Sequence, residues 1–484
     1  MSDYSFASAT ALVSALHSGA ISSRELLEMF WARVEKFNPA LNAIIWSDIE
    51  AARAAAEAAD RRLSSGTPLG LLDGLPMTIK ESFQLAGSPT TWGDPTFRDN
   101  VTDTDADAVK RLKAQGAIIF AKTNVPLMLA DWQSFNDIYG TTNNPWDVTR
   151  VPGGSSGGSA AALAAGLTGL DVGSDIGASI RNPAHYCGVY GHKPTYGIVS
   201  YRGHALPGGV TTSDITVAGP LARSATDLSL ALGIIEGPED IDAMGWRLVL
   251  PRAQKKHFKD LKIAVMLNDK ASDVDQSIQA ELVKLAEFLE KQGAKIDFKA
   301  RPRFETSEVV DVYIALLRAA TSRRQTGRDF LRNVELSQSL PVEDQSYFAR
   351  MVRANVLPHR EWLKINERRH HMRLAWADFF REWDLMLCPA AASAAFPHDQ
   401  VGERHQRTIE VNAKRVPTTD QLFWAGYSGC FYLPSTIAPI GSDPMGLPIG
   451  VQIIGAQYFD YSTIAFAELL EHEYRGFIAP PGFR

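Results

Sequence analysis

Three residues in this chain have the types and the setting for acyl transfer without histidine. Ser155 lies in P-G-G-S-S-G-G-S (152–159) and Ser179 in G-S-D-I-G-A-S-I-R-N-P (173–183), 24 positions further on. Lys80 lies upstream in G-L-P-M-T-I-K-E. A neutral amine can replace imidazole as the base that activates a serine. An amide is a poor electrophile, so its hydrolysis needs an activated nucleophile, donors for the oxyanion and a proton for the leaving nitrogen. The small residues of D-I-G-A-S let successive backbone N–H groups converge, and those of Ile176, Gly177, Ala178 and Ser179 are expected to form an oxyanion hole. Lys80 can serve as base only where burial disfavours its charge, and L-P-M-T-I-K reads as a largely buried strand. Ser155 would then relay a proton between the Lys80 amine and the Ser179 hydroxyl.

Other readings of the same residues are weaker. Gly153, Gly154, Ser155, Ser156 and Gly157 fit G-x-S-x-G, but that nucleophile elbow wants a downstream Asp and His and leaves Lys80 without a role. The Gly-rich run lacks the Lys-Ser/Thr that completes a phosphate loop. His185 and His192 are expected to be structural. His370 and His371 are adjacent on a helical pattern, where neighbouring side chains diverge, and no H-E-x-x-H is present. Asp175 and Arg181 flank the nucleophile and either brace its loop or form a plain surface pair. Asp131, Trp132 and Gln133 follow K-T-N and are candidates for contact with substrate.

These motifs resemble the amidase signature family of serine hydrolases. The likeness runs through G-L-P-M-T-I-K-E, K-T-N-V-P, T-N-N-P-W-D, the two serine loops, C-G-V-Y-G-H-K-P-T, G-P-L-A-R-S and G-L-P-I-G-V-Q-I-I-G, in that order. It implies Ser179 as nucleophile, Ser155 as a bridging serine on a cis peptide and Lys80 as general base. It also implies an α/β fold, a mixed β-sheet core covered by helices on both faces, with no metal and no organic cofactor. Two departures stand out. Ala178 replaces the glycine most common in the family, which is strained if the position needs a positive φ. Leu127 stands where many members carry glutamate.

The elements that must position these groups are legible in outline. The first 65 residues read as helices, with Leu26, Leu27, Phe30 and Val34 at helical spacing and Ser22 or Ser23 as cap. Ile49–Leu63 is an alanine-rich helix. From Leu72 short apolar strands alternate with helical patches: a helix over Asp105–Gln115 feeding a strand at Ala117–Ala121, and a small-residue helix over Ser159–Leu167. Lys262–Leu267 and Ala294–Phe298 read as strands on either side of a helix at Gln276–Gln292. Such alternation implies a sheet covered by helices. The expected organisation is one domain over 1–484, with a helical N-terminal segment (1–65), a catalytic core (66–240), a variable helical insertion (303–383) and a C-terminal part of the core (384–484). Within the insertion Trp376, Phe379, Phe380 and Trp383 recur at helical spacing and are expected to pack in the core.

The whole chain is consistent with this. Its 484 residues are 45% hydrophobic and 21% charged, enough for a large core, and the net charge of −6 with no basic cluster argues against nucleic-acid binding. Three separated cysteines, Cys187, Cys388 and Cys430, fit no disulfide framework or zinc ribbon and point to a reducing compartment. No signal peptide or membrane-spanning run is evident, so a cytoplasmic protein is expected, with a homodimer as the candidate assembly. The expected activity is cleavage of small or medium carboxamides through an acyl-Ser179 intermediate, with esters and carbamates also attacked. Trp132, Phe135, Trp424, Phe431 and Tyr432 suggest an apolar aryl or acyl substrate. The alternatives are the glutaminase subunit of a tRNA-dependent amidotransferase and a catalytically silent binding protein on the same scaffold.

Overall fold

Strands rich in small and β-branched residues assemble into a mixed eight-stranded sheet in the computed structural model, which describes residues 4–484. The first three residues of the expected N-terminal helical segment lie outside the described ones. From one edge the strands run Lys295–Asp297, Lys262–Val265, Leu385–Pro389, Pro448–Ile454, Ser435–Ser442, Tyr190–Lys193, Val217–Ala222 and Asp171–Asp175. The first three are mutually parallel and the remaining neighbours antiparallel. The six strands from Leu385–Pro389 to Asp171–Asp175 are almost wholly buried along their length, as expected of a sheet covered on both faces.

A second sheet of three strands carries Lys80. Ile118–Thr123 lies in its centre, antiparallel to Ile44–Ser47 and parallel to Pro76–Lys80. Its edge abuts the edge of the large sheet. Thr78 N donates to Leu170 O (3.2 Å), and Thr78 Oγ1 donates to Asp171 Oδ2 (2.6 Å). The strand that ends in Lys80 is thereby fixed beside the strand that leads into the Ser179 loop.

The sequence pattern carries over to the helices with small shifts at their ends, except that the first 65 residues are not all helical: Ile44–Ser47 forms a strand between two of the helices. Ser22 caps Ser23–Leu41 in a full capping box with Glu25, which accounts for the sharp start of that helix. The alanine-rich run forms Ile49–Ser64, and the helix over 105–115 forms Asp107–Ala114. The small-residue helix is Gly157–Ala164, starting two residues early because it begins directly under the serine loop. Residues 303–383 fold into four helices, Thr306–Ser322, Gly327–Ser339, Tyr347–Asn355 and His359–Glu382. Their aromatic stripe packs as expected: Trp376 is fully buried, stacked on Phe380 at 5.3 Å and edge-on to Phe379 at 5.4 Å. Among the described residues no helix is long and apolar enough to cross a membrane.

Candidate active site

Lys80, Ser155 and Ser179 come together where the two sheets meet. Lys80 is fully buried, and its Nζ donates to Ser155 Oγ (2.7 Å) and Ser174 Oγ (2.9 Å). Burial strips the amine of water and lowers its pKa to about 7, against the opposing pull of Asp175, Asp171 and Glu81. Ser155 follows a cis peptide from Gly154. Gly154 has to be glycine, since a Cβ there would collide with the Asp131 carbonyl oxygen. Ser156 N donates to Ser179 O (3.1 Å), which ties the two serine loops to each other. Ser155 and Ser179 line one cavity of about 380 Å³.

The Ser179 loop is wrapped around Asp175. Its carboxylate accepts from Ala178 N (2.9 Å), Ile180 N (3.0 Å) and both Nε and Nη2 of Arg181 (3.0 and 2.9 Å). Burial pushes the Asp175 carboxyl up. The Arg181 charge and hydrogen bonds outweigh that and hold it below the usual carboxylate range. Arg181 continues outward through Nη1 to Ala425 O (2.9 Å), Ser428 Oγ (2.9 Å) and Gln452 Oε1 (2.7 Å). The pair is therefore no surface feature: both side chains are 1% exposed and together they brace the loop.

This wrapping narrows the expected oxyanion hole. The Ala178 N–H is already spent on Asp175 and is withdrawn from the set. The N–H groups of Ile176, Gly177 and Ser179 have no protein acceptor among the described residues. Ala178 has φ +68°, the left-handed conformation that glycine would adopt without strain.

Two of the three candidate contact residues lie on the cavity. Trp132 lines it and donates Nε1 to Gly177 O (2.6 Å); Asp131 lines it with its carboxylate on Arg407 (2.5 Å). Gln133 does not. Its amide is pinned to the backbone of Asp399 by two hydrogen bonds, of 2.6 and 3.0 Å. The expected aromatic pocket also needs correction: Trp132 is in the lining, but Phe135, Trp424, Phe431 and Tyr432 are not. Trp424 and Phe431 are buried in the core, and Tyr432 donates to Asp214 (2.6 Å). The apolar wall consists instead of Met128, Leu129, Ile176, Leu317 and Leu422 beside Trp132.

Both histidines near Ser179 are held in structural contacts. His185 accepts at Nδ1 from Gly450 N (2.8 Å) and faces Ser393 O through Nε2 (3.1 Å), and burial lowers its pKa to about 4. His192 lies between Thr436 and Asp460. Two further contributions have no signal in the residue pattern. His204 Nε2 is 2.9 Å from Ser174 Oγ, one hydrogen bond removed from Lys80. Tyr313, on Thr306–Ser322, donates to Ile176 O (2.9 Å) and holds the Ser179 loop from outside.

The Amidase family profile matches residues 25–464. The chain belongs to the amidase signature family. It is 31% identical to an indoleacetamide hydrolase of Bradyrhizobium diazoefficiens over 96% of this chain and 86% of that one. It is also 30% identical to a glutamyl-tRNA(Gln) amidotransferase subunit of Bdellovibrio bacteriovorus, over 97% of both chains. A bacterial aryl acylamidase of the amidase signature family superposes with a TM-score of 0.81, at 24% identity, over 97% of this chain and 96% of that one. Amidase signature relatives thus share this fold over nearly its full length.

Proposed function

We propose that this amidase signature hydrolase cleaves small or medium carboxamides by way of an acyl-Ser179 intermediate, with Lys80 as base and Ser155 as relay. The observation that carries the reading is the 2.7 Å hydrogen bond from Lys80 Nζ to Ser155 Oγ, made by a lysine whose burial favours the neutral amine. A neutral Lys80 takes a proton from Ser155 Oγ as Ser155 takes one from Ser179 Oγ. The Ser179 oxygen then bonds to the amide carbon. The N–H groups of Ile176, Gly177 and Ser179 receive the oxyanion, each such donor being worth roughly 2.7–4 kcal/mol in the transition state. On collapse the C–N bond breaks, and the proton returns through Ser155 to the leaving nitrogen. Water repeats the sequence on the acyl ester and frees the acid. Esters and carbamates follow the same course through a similar tetrahedral state.

Labelling with a fluorophosphonate, followed by peptide mass spectrometry, tests the assignment. The adduct is expected on Ser179, and Ser179→Ala is expected to remove it. An adduct on Ser155, or none on folded protein, overturns the reading. The likeness to an amidotransferase component supports a second reading, a glutaminase, which ammonia release from glutamine would identify.

A further inference from the structure

The charge of the cavity does not match the neutral substrate that its apolar wall suggests. Three guanidinium groups line it, from Arg318, Arg324 and Arg404. Arg404 lies over the Trp132 ring at 5.4 Å and donates Nη1 to Ala130 O (3.1 Å), while its Nε and Nη2 are buried without a protein acceptor. Arg318 lies over the Tyr347 ring at 5.3 Å, and its Nε is likewise buried and unpartnered. Arg324 covers Trp92 at 4.5 Å and donates to Met128 O (3.0 Å).

Among the described residues none of the three is paired with a carboxylate. The cavity's own acids are engaged elsewhere: Asp131 is held by Arg407 (2.5 Å), and Asp329 accepts from Thr326 Oγ1 (2.6 Å). A buried guanidinium with idle donors is costly unless a partner arrives. Aromatic rings lie beside both guanidiniums, and the forked donors of a guanidinium suit an oxyacid.

We propose that the substrate carries a carboxylate, or an oxyacid group of like charge, that is received by Arg404 and Arg318. The substrate class is then an amide that joins an apolar acyl or aryl body to an acid. This rests on the amidase reading of the same cavity and specifies it.

The test is calorimetric binding to the full-length Ser179→Ala protein of matched pairs of anilides. Glutaric acid monoanilide against valeranilide puts the acid on the acyl side. N-acetyl-4-aminobenzoate against 4′-methylacetanilide puts it on the amine side. A phosphonate analogue of the favoured member separates carboxylate from other oxyacids. In at least one pair the acid is expected to bind about tenfold or more tightly than its neutral match. Adding Arg404→Met or Arg318→Met should bring that ratio close to one, whereas Arg404→Lys keeps part of it. Thermal melts establish that each variant is folded. Tighter binding of the phosphonate also supports the proposal. Equal binding within both pairs overturns it, as does a preference that neither arginine substitution changes. Turnover by the wild-type protein is measured in parallel. If every amide is inert the amidase reading fails, while the binding ratio still reports on the anion site.

Discussion

Burial sets Lys80 at about 7, so the proton that the proposed mechanism requires it to shed is lost within the ordinary working range of an enzyme. The neutral amine predominates above that value. kcat/KM is therefore expected to rise through a single limb centred near pH 7 and to level off on the alkaline side. Asp171, whose own carboxyl is pushed up to about 7 by burial, helps to hold the Lys80 proton in place. Asp171→Asn removes that attraction, and the limb should move toward acid in a pH–rate profile; a shift toward alkali would contradict the assignment. Ala178 offers a stability test at the same scale. Its φ of +68° suits glycine, so Ala178→Gly should stabilise the fold by about 1 kcal/mol, read as a higher urea midpoint. The departure at residue 178 is plain from the residue type alone. That the Ala178 N–H belongs to Asp175 is not, because a hydrogen bond within a tight loop depends on where a carboxylate points.

Helices and strands were largely legible because hydrophobic period and caps fix them locally, as Ser22 and Glu25 do for Ser23–Leu41. The cavity was not. Trp424 reads as a pocket aromatic, yet the helix Leu422–Gly429 is buried on every face and its tryptophan is part of the core. Conversely, Leu317 and Arg318 lie on Thr306–Ser322 and reach the cavity only through tertiary packing. That packing has a visible lever. A Cβ on Gly426 would sit 2.5 Å from the Tyr313 ring, and Tyr313 donates to Ile176 O at 2.9 Å. Tyr313→Phe should lower kcat several-fold and leave KM nearly unchanged, since the bond steadies the loop more than it meets substrate. Gly426→Ala should be worse, with steady-state kinetics as the check on both. The Asp175–Arg181 pair holds the other side of the loop. Arg181→Met leaves a buried carboxylate uncompensated and should cost about 3–5 kcal/mol, measured by chemical denaturation.

Across the whole molecule the three cysteines are free and buried. Reductant should leave the melting temperature unchanged. A thiol reagent should label none of them in the native protein and all three once it is unfolded. Cys187 and Cys388 serve as small hydrophobes here, and burial pushes the Cys388 thiol up to about 12, far from a reactive thiolate.

The Arg181–Gln452 hydrogen bond joins residues 271 positions apart, and Gln452 lies on the strand Pro448–Ile454 in the middle of the large sheet. During synthesis the Ser179 loop therefore leaves the ribosome long before its brace exists. The chain must pass through a period in which Lys80, Ser155 and Ser179 have all been made but are not held in register. The Arg181 brace is completed only once the strand Pro448–Ile454 has been made.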